Sequence, residues 1–314
     1  MTTRHALISG GLVIALAGAA LPSAASAQSG TTPPSADPLP ATRSLSAPPP
    51  VTSSPASAGG PQLSSAHTTP VQSLGAQTRA VVELFTSQGC SSCPAADRVL
   101  AELKKDPTLI AVSMPVTYWD YLGWKDTLAD PRHTARQAAY SHARGDRAVY
   151  TPQVIVNGTL PVLGSDKAAI EGAMAKSRAR GAALSVPVRL SVADGKVSVS
   201  TEAPKGGVAA GVAMAGPPAG APAAAMAGEV WLLGVSSAVE VAVGRGENNG
   251  RTIVYSNVVR RWHKLGDWTG GLRSWSVPVG EVAGDKVDAV AVLIQGGSST
   301  APGTIFGAAF ERLK

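Results

Sequence analysis

Hydrophobic and polar positions divide the chain into segments of different texture. Near the amino terminus Arg4 precedes an apolar stretch over 6–21, and Ala25-Ser26-Ala27 closes it, the charged, hydrophobic and small-residue order of a secretory signal. Residues 28–78 are dominated by Ser, Ala, Pro, Thr and Gly, a composition that cannot bury enough apolar surface to offset its ordering entropy. Order is expected from Ala80-Val81-Val82-Glu83-Leu84-Phe85-Thr86, a β-branched and aromatic run that reads as a buried strand. After Gly89-Cys90-Ser91-Ser92-Cys93-Pro94, the positions Ala96, Val99, Leu100 and Leu103 recur on one face and predict a helix ending before Asp106-Pro107. A second apolar strand is expected over 109–116, with Pro115 suggesting an edge or a bend.

Asp130-Pro131 is a helix start, a capping side chain followed by a residue tolerated at the first helical position. Pro152-Gln153-Val154-Ile155-Val156 reads as a strand, Asn157-Gly158 as a turn and Leu160-Pro161-Val162-Leu163 as the returning strand. Ser165 and Asp166 open a third helix, which Lys176, Arg178, Arg180 and Gly181 close. The resulting order, β-α-β-α-β-β-α, is the minimal thioredoxin-like (glutaredoxin-like) α/β core, assigned to 79–181. From there the texture becomes alternating: Val186, Val188, Leu190 and Val192 run into Ala193-Asp194-Gly195-Lys196, and Val197 and Val199 return. Residues 182–314 are therefore expected to form a β-rich, sandwich-like second domain. Its strands are placed near 230–235, 239–243, 252–257, 272–277, 287–294 and 304–310, with an Ala/Gly/Pro loop at 206–228.

Composition changes this picture in two places. The 314 residues contain two cysteines, too few for a disulfide scaffold in a chain whose signal, cleaved after Ala27, would send it to the periplasm or outside the cell. The net charge of +6 is spread over scattered Lys and Arg side chains, so a solvated surface is expected rather than a nucleic-acid partner. The apolar stretch of the signal falls short of the roughly 20 residues that span a bilayer, and no integral span is expected once it is removed.

The chemistry concentrates on Cys90 and Cys93. Only a thiolate attacks a disulfide, and an exchange centre needs one stabilised cysteine with a second close enough to release the mixed disulfide. A Cys-x-x-Cys pair at a strand-to-helix turn meets both needs, with Cys90 as the exposed nucleophile at the helix N-terminus and Cys93 as the resolving thiol. Two other readings compete: a structural staple, which would close too short a loop to restrain much chain, and half of a soft-metal site drawing on His133, His142 or Met114. Thr151-Pro152 opens the third strand. An ordinary trans proline is one reading there, but in thioredoxin-like folds, which this element order resembles, the equivalent proline is cis and opposite the cysteines, where it orients an extended substrate, and cis is expected. Glu83 is read as a half-exposed strand carboxylate or, alternatively, a proton acceptor near Cys93. Trp119, with Tyr118, Tyr121 and Trp124, lies in the loop after the second strand and would form a substrate-facing wall or pack as core. Gly244-Arg245-Gly246-Glu247-Asn248-Asn249-Gly250 sits between strands and reads as a hairpin loop, not a phosphate cradle.

The stretches Val82 to Pro94, Tyr118-Trp119-Asp120-Tyr121-Leu122-Gly123-Trp124-Lys125-Asp126, Tyr150 to Gly158 and Gly244 to Asn248 resemble a secreted, thioredoxin-like family known as domain of unknown function 1223. The resemblance runs from about Arg79 to Lys314 and implies a thioredoxin-like domain with an appended β-domain, without supplying a reaction. The family pattern has a His and an Asp before the Tyr-Trp-Asp run, where Pro115 and Thr117 stand here, so any role those side chains serve in relatives is missing.

The sequence reading is thus an exported thiol-disulfide oxidoreductase. Cys90 and Cys93 react, Thr151, Pro152 and Trp119 meet a thiol- or disulfide-bearing protein or small molecule, and no cofactor or metal is called for. The alternative is a non-enzymatic binding module, for a protein or a soft metal, whose cysteines lock a loop.

Overall fold

The computed structural model describes residues 77–201, 226–284 and 286–313. The signal at 1–27, nearly all of the tether at 28–78 and most of the loop at 206–228 lie outside the described residues.

The first strand, β1 (Ala80–Thr86), is buried along its whole length and leads through the cysteine turn into α1 (Cys93–Leu103). The chain returns as β2 (Leu109–Pro115), which pairs in parallel with β1 from Ala80↔Leu109 to Thr86↔Pro115. The next helix, α2 (Pro131–Arg144), begins as expected: Asp130 caps it by accepting from the Arg132 amide, and Gly145 ends it in the left-handed conformation. Two short strands follow, β3 (Gln153–Val156), antiparallel to β1, and β4 (Leu160–Leu163), antiparallel to β3. Asn157, with positive φ, turns this hairpin, and its side chain ties the turn to Val81 and Ser177. Asp166 then caps α3 (Lys167–Ala179) through the Ala169 amide.

The second half contains β5 (Val188–Ala193), β6 (Lys196–Thr201), β7 (Gly228–Ala242), β8 (Thr252–Trp268), β9 (Ser274–Pro278), β10 (Ala289–Ser298) and β11 (Ala301–Arg312). The sequence boundary near 181 marks a change of texture, not a change of sheet. Strands β7, β8, β10 and β11 join the first four in one eight-stranded sheet of order β11-β10-β7-β8-β2-β1-β3-β4, the seam being a parallel pairing of β2 with β8 at Ser113↔Val258. Strands β5, β6 and β9 form a separate three-stranded sheet. The second half is β-rich, as expected, but most of its strands extend the large sheet; the smaller sheet packs Val197 and Val199 against Val230, Leu232, Val290 and Val292.

Side-chain alternation explains the layers. Val82 and Leu84 of β1 face α1 and α3, meeting Ala96, Leu100, Ile170 and Met174, whereas Val81 and Phe85 face α2 and meet Tyr140. In β10, Ala289, Ala291 and Leu293 extend the α2-side core, while Val290, Val292 and Ile294 face the small sheet. A strand covered on both faces reads as a continuous apolar run, as β10 does.

Two strands are longer than their sequence suggested. Ser236-Ser237 reads as a break between strands at 230–235 and 239–243, yet β7 continues through it, and β8 runs past 257 to Trp268. The register between β7 and β8 shifts between Gly234 and Val235, and Asn257 takes a positive φ while its amide donates to the Ala111 carbonyl at 2.9 Å. A local irregularity of this kind bends a ribbon without ending it. The outer part of the β7–β8 ribbon thereby runs along α1, from Lys104, which donates to the Ser237 carbonyl, toward the cysteine turn.

Candidate functional site

Cys90 and Cys93 form a disulfide, with Cα atoms 5.4 Å apart. The turn that carries them folds on its own backbone, since the Cys90 amide donates to the Ser87 carbonyl and the Cys93 amide to the Cys90 carbonyl. The helix begins at Cys93, with Ser92 at the N-cap making no side-chain cap, so Cys90 lies ahead of the helix and not in its first turn. Cys90 is also only 1% exposed, where the sequence reading expected an exposed nucleophile. Ser91 and Ser92 are exposed, and the Ser92 hydroxyl lies 3.4 Å from Cys90 Sγ.

The cysteine turn is held from two sides. From the loop after β2, Asp126 accepts from the Gln88 amide at 2.8 Å, the Trp124 indole donates to Gln88 Oε1 at 2.8 Å, and Trp119 Cβ sits against Gly89, where an added Cβ would come within 3.0 Å of it. From the tip of the β7–β8 ribbon, the buried Asn248 donates from Nδ2 to the carbonyls of Gln88 (2.9 Å) and Cys90 (2.8 Å), and Glu247 accepts from the Ser91 amide at 3.0 Å. The loop at 244–250 is a hairpin loop, as its place between strands implied, but one closed upon the cysteines. Its only sequence signal was its presence among the stretches shared with the family.

The proline expected to be cis is cis, at Thr151-Pro152. Trp119 links it to the cysteine turn, because the indole Nε1 donates to Thr151 Oγ1 at 2.7 Å while Trp119 Cβ abuts Gly89. Pro152 is buried and accepts from the Gly164 amide at 2.9 Å. An added Cβ at Gly164 would meet Leu84, Ala96 and Pro152 at 2.8–3.2 Å, so β1, α1 and the proline turn converge there. Cys90, Trp119, Thr151 and Pro152 thus belong to one neighbourhood. Of the remaining aromatic residues in that loop, Tyr118 donates to Gln137, and Tyr121 is 79% exposed.

Glu83 is neither half-exposed nor beside Cys93. It is fully buried on the α2 face, paired with Arg136 at 2.8 Å and accepting from the Tyr140 hydroxyl, and Gln295 of β10 bonds both Arg136 and Tyr140. A strand residue one position from Leu84 points to the opposite face, away from α1. The carboxylate on the cysteine side is Asp97, one turn after Cys93 in α1. It is buried, neither oxygen has a hydrogen-bond partner among the described residues, and the Thr86 hydroxyl faces it without closing a bond of good geometry. Burial pushes its carboxyl up to about 8, the nearby Thr86 hydroxyl opposing this, the charge of Asp126 adding to it and Arg98 pulling partly back. The Tyr255 hydroxyl, from β8, is likewise buried and unpartnered.

Among the described residues no group of three or more His, Cys, Asp or Glu side chains is placed to hold a metal. Met114 belongs to the core cluster on the α2 face, and buried His133 has Nδ1 3.0 Å from the Pro115 carbonyl oxygen, so neither completes a ligand set with the cysteines. No helix among the described residues is long and apolar enough to cross a membrane.

Residues 81–295 match the family model described as protein of unknown function (DUF1223). Among solved structures, a structural-genomics protein of Agrobacterium tumefaciens is 31% identical, with a TM-score of 0.63 over 76% of this chain and 95% of its own. HBP35 of Porphyromonas gingivalis shares 13% identity over 76% of each chain at a TM-score of 0.48. No curated protein matches the chain.

Proposed function

The chain belongs to the DUF1223 family of proteins of unknown function, and we propose that it is an exported thiol-disulfide oxidoreductase built on a thioredoxin-like core. The observation that carries the reading is the Cys90–Cys93 disulfide at the entrance to α1, joined through Trp119 to the Thr151-Pro152 turn. The signal-like segment at 1–27 supports export, where a disulfide persists.

In the reductive direction a partner thiolate attacks one sulfur of the pair, a mixed disulfide forms, and the other sulfur leaves as a thiolate that takes up a proton. The partner's second thiolate then attacks the mixed disulfide. The partner leaves as a disulfide, and Cys90 and Cys93 are left as thiols carrying its two electrons and two protons. Asp97 follows Cys93 by one turn of α1 and is held protonated near neutral pH, which makes it the candidate proton partner of Cys93 in this reading. Thr151 and Trp119 line the approach beside the pair. The burial of Cys90 favours a second reading, a binding module in which the disulfide locks the turn.

Equilibration of the mature protein with glutathione buffers, followed by counting free thiols, separates the two. An exchanger is expected to titrate between about −120 and about −270 mV and to lose disulfide exchange on Cys90→Ser; a midpoint below about −300 mV, typical of structural disulfides, would sink the enzymatic reading.

A further inference from the structure

The tip of the β7–β8 ribbon places a carboxylate at the entrance to α1. Glu247 is exposed, but its position is set by rigid neighbours. Asn248, next in the chain, is buried and tied by two hydrogen bonds to the cysteine turn, Gly246 takes the positive φ of the tip, and the Trp124 indole packs against Gly244. The result is Glu247 Oε2 at 3.0 Å from the Ser91 nitrogen, the first amide after Cys90.

We propose that Glu247 is a positioning residue that sets the reduction potential of the Cys90–Cys93 pair, its carboxylate occupying the Ser91 amide and favouring the disulfide over a Cys90 thiolate. This rests on the oxidoreductase reading above. Free backbone amides ahead of a helix stabilise an adjacent anion, and that stabilisation is what lowers the pKa of a cysteine at such a turn. A carboxylate bound to one of those amides removes a donor and adds a like charge beside the sulfur. Reduction creates the thiolate and oxidation abolishes it, so the penalty falls on the reduced state alone and the potential moves down. The hydrogen bond from Ser91 in turn holds the Glu247 carboxyl below its ordinary range, keeping it ionised where the thiolate forms.

Glu247→Gln keeps an oxygen to accept from Ser91 and removes only the charge, while Glu247→Ala removes both. Glu240, exposed on the same ribbon, is the control position. Each variant of the full mature chain is equilibrated with glutathione at low salt and again near 1 M, where the screening length falls to about 3 Å. The expected result for Glu247→Gln is a rise of about threefold in the equilibrium constant for reduction, about 14 mV on a scale where tenfold is about 30 mV. The rise should shrink at high salt and be absent in Glu240→Gln. An unchanged constant in both Glu247 variants at low salt, or an equal rise in Glu240→Gln, would overturn the proposal. A wild-type midpoint below about −300 mV would instead sink the enzymatic reading, and the Glu247 comparison would still report on tuning.

Discussion

Asp97 is a carboxylate that the fold buries with no hydrogen-bond partner among the described residues. A group whose pKa is raised from 3.8 to about 8 by folding binds a proton in the native state throughout that interval while the unfolded chain does not. Its contribution is therefore fully present below about pH 4, declines as pH rises toward about 8 and is lost beyond it. Asp97→Asn removes that dependence. Between about pH 5 and about pH 9, the stability of Asp97→Asn relative to wild type is expected to rise by an amount on the order of 4 kcal/mol, read from urea unfolding at each pH. A difference that stays constant across this range would show that Asp97 is not held protonated. The sequence read β1 as a buried strand without saying which of its residues face α1, and it did not mark Asp97 as buried. In the helical pattern Asp97 falls outside the apolar stripe, and it is buried where α1 meets β8, with Thr86, Asp126 and Tyr255 close enough to act on it.

The β7–β8 ribbon is the element that makes the site. Its strands were legible only in part, as short segments at 230–235, 239–243 and 252–257, and its loop as a hairpin between them. Its course was not legible, because the bend depends on a register shift and on Asn257 reaching Ala111, a residue far away in the chain. The clasp at the tip is correspondingly specific. Asn248→Ala would leave the carbonyls of Gln88 and Cys90 without their donor, and a buried group deprived of its partner costs about 1–3 kcal/mol. The variant is expected to lose stability in that range by urea unfolding and to be nicked faster at 244–250 in limited proteolysis. Wild-type resistance with unchanged stability would mean that the tip does not clasp the turn.

At the scale of the molecule, the first seven elements share their central sheet with β7, β8, β10 and β11. The α2-side core draws Val81 and Phe85 from β1 together with Leu233, Leu293 and Ile305, and the buried Glu83–Arg136 pair is completed by Gln295. Residues 79–181 alone would expose the edge of β2, the far side of this core and a charged pair lacking one partner, each unfavourable in water. Expressed by itself, this fragment is expected to lack cooperative unfolding and dispersed side-chain signals in NMR spectra. A fragment that folds cooperatively would show that the shared sheet is dispensable to the first half.

The sequence alone determined the local matters: the strand-helix-strand order, the caps at Asp130 and Asp166, the hairpin at Asn157-Gly158 and the juxtaposition of two cysteines three residues apart. These follow from period, capping chemistry and turn chemistry, which act over a few residues. The tertiary structure decided that the second half extends the first half's sheet, that Cys90 is covered, that Glu83 is neutralised by Arg136 while Asp97 is left unpaired, and that Glu247 and Asn248 reach the cysteine turn across more than 150 positions of sequence. Burial and long-range pairing are properties of which surfaces meet, and the pattern along a single strand or helix records that a face is apolar without recording what will cover it.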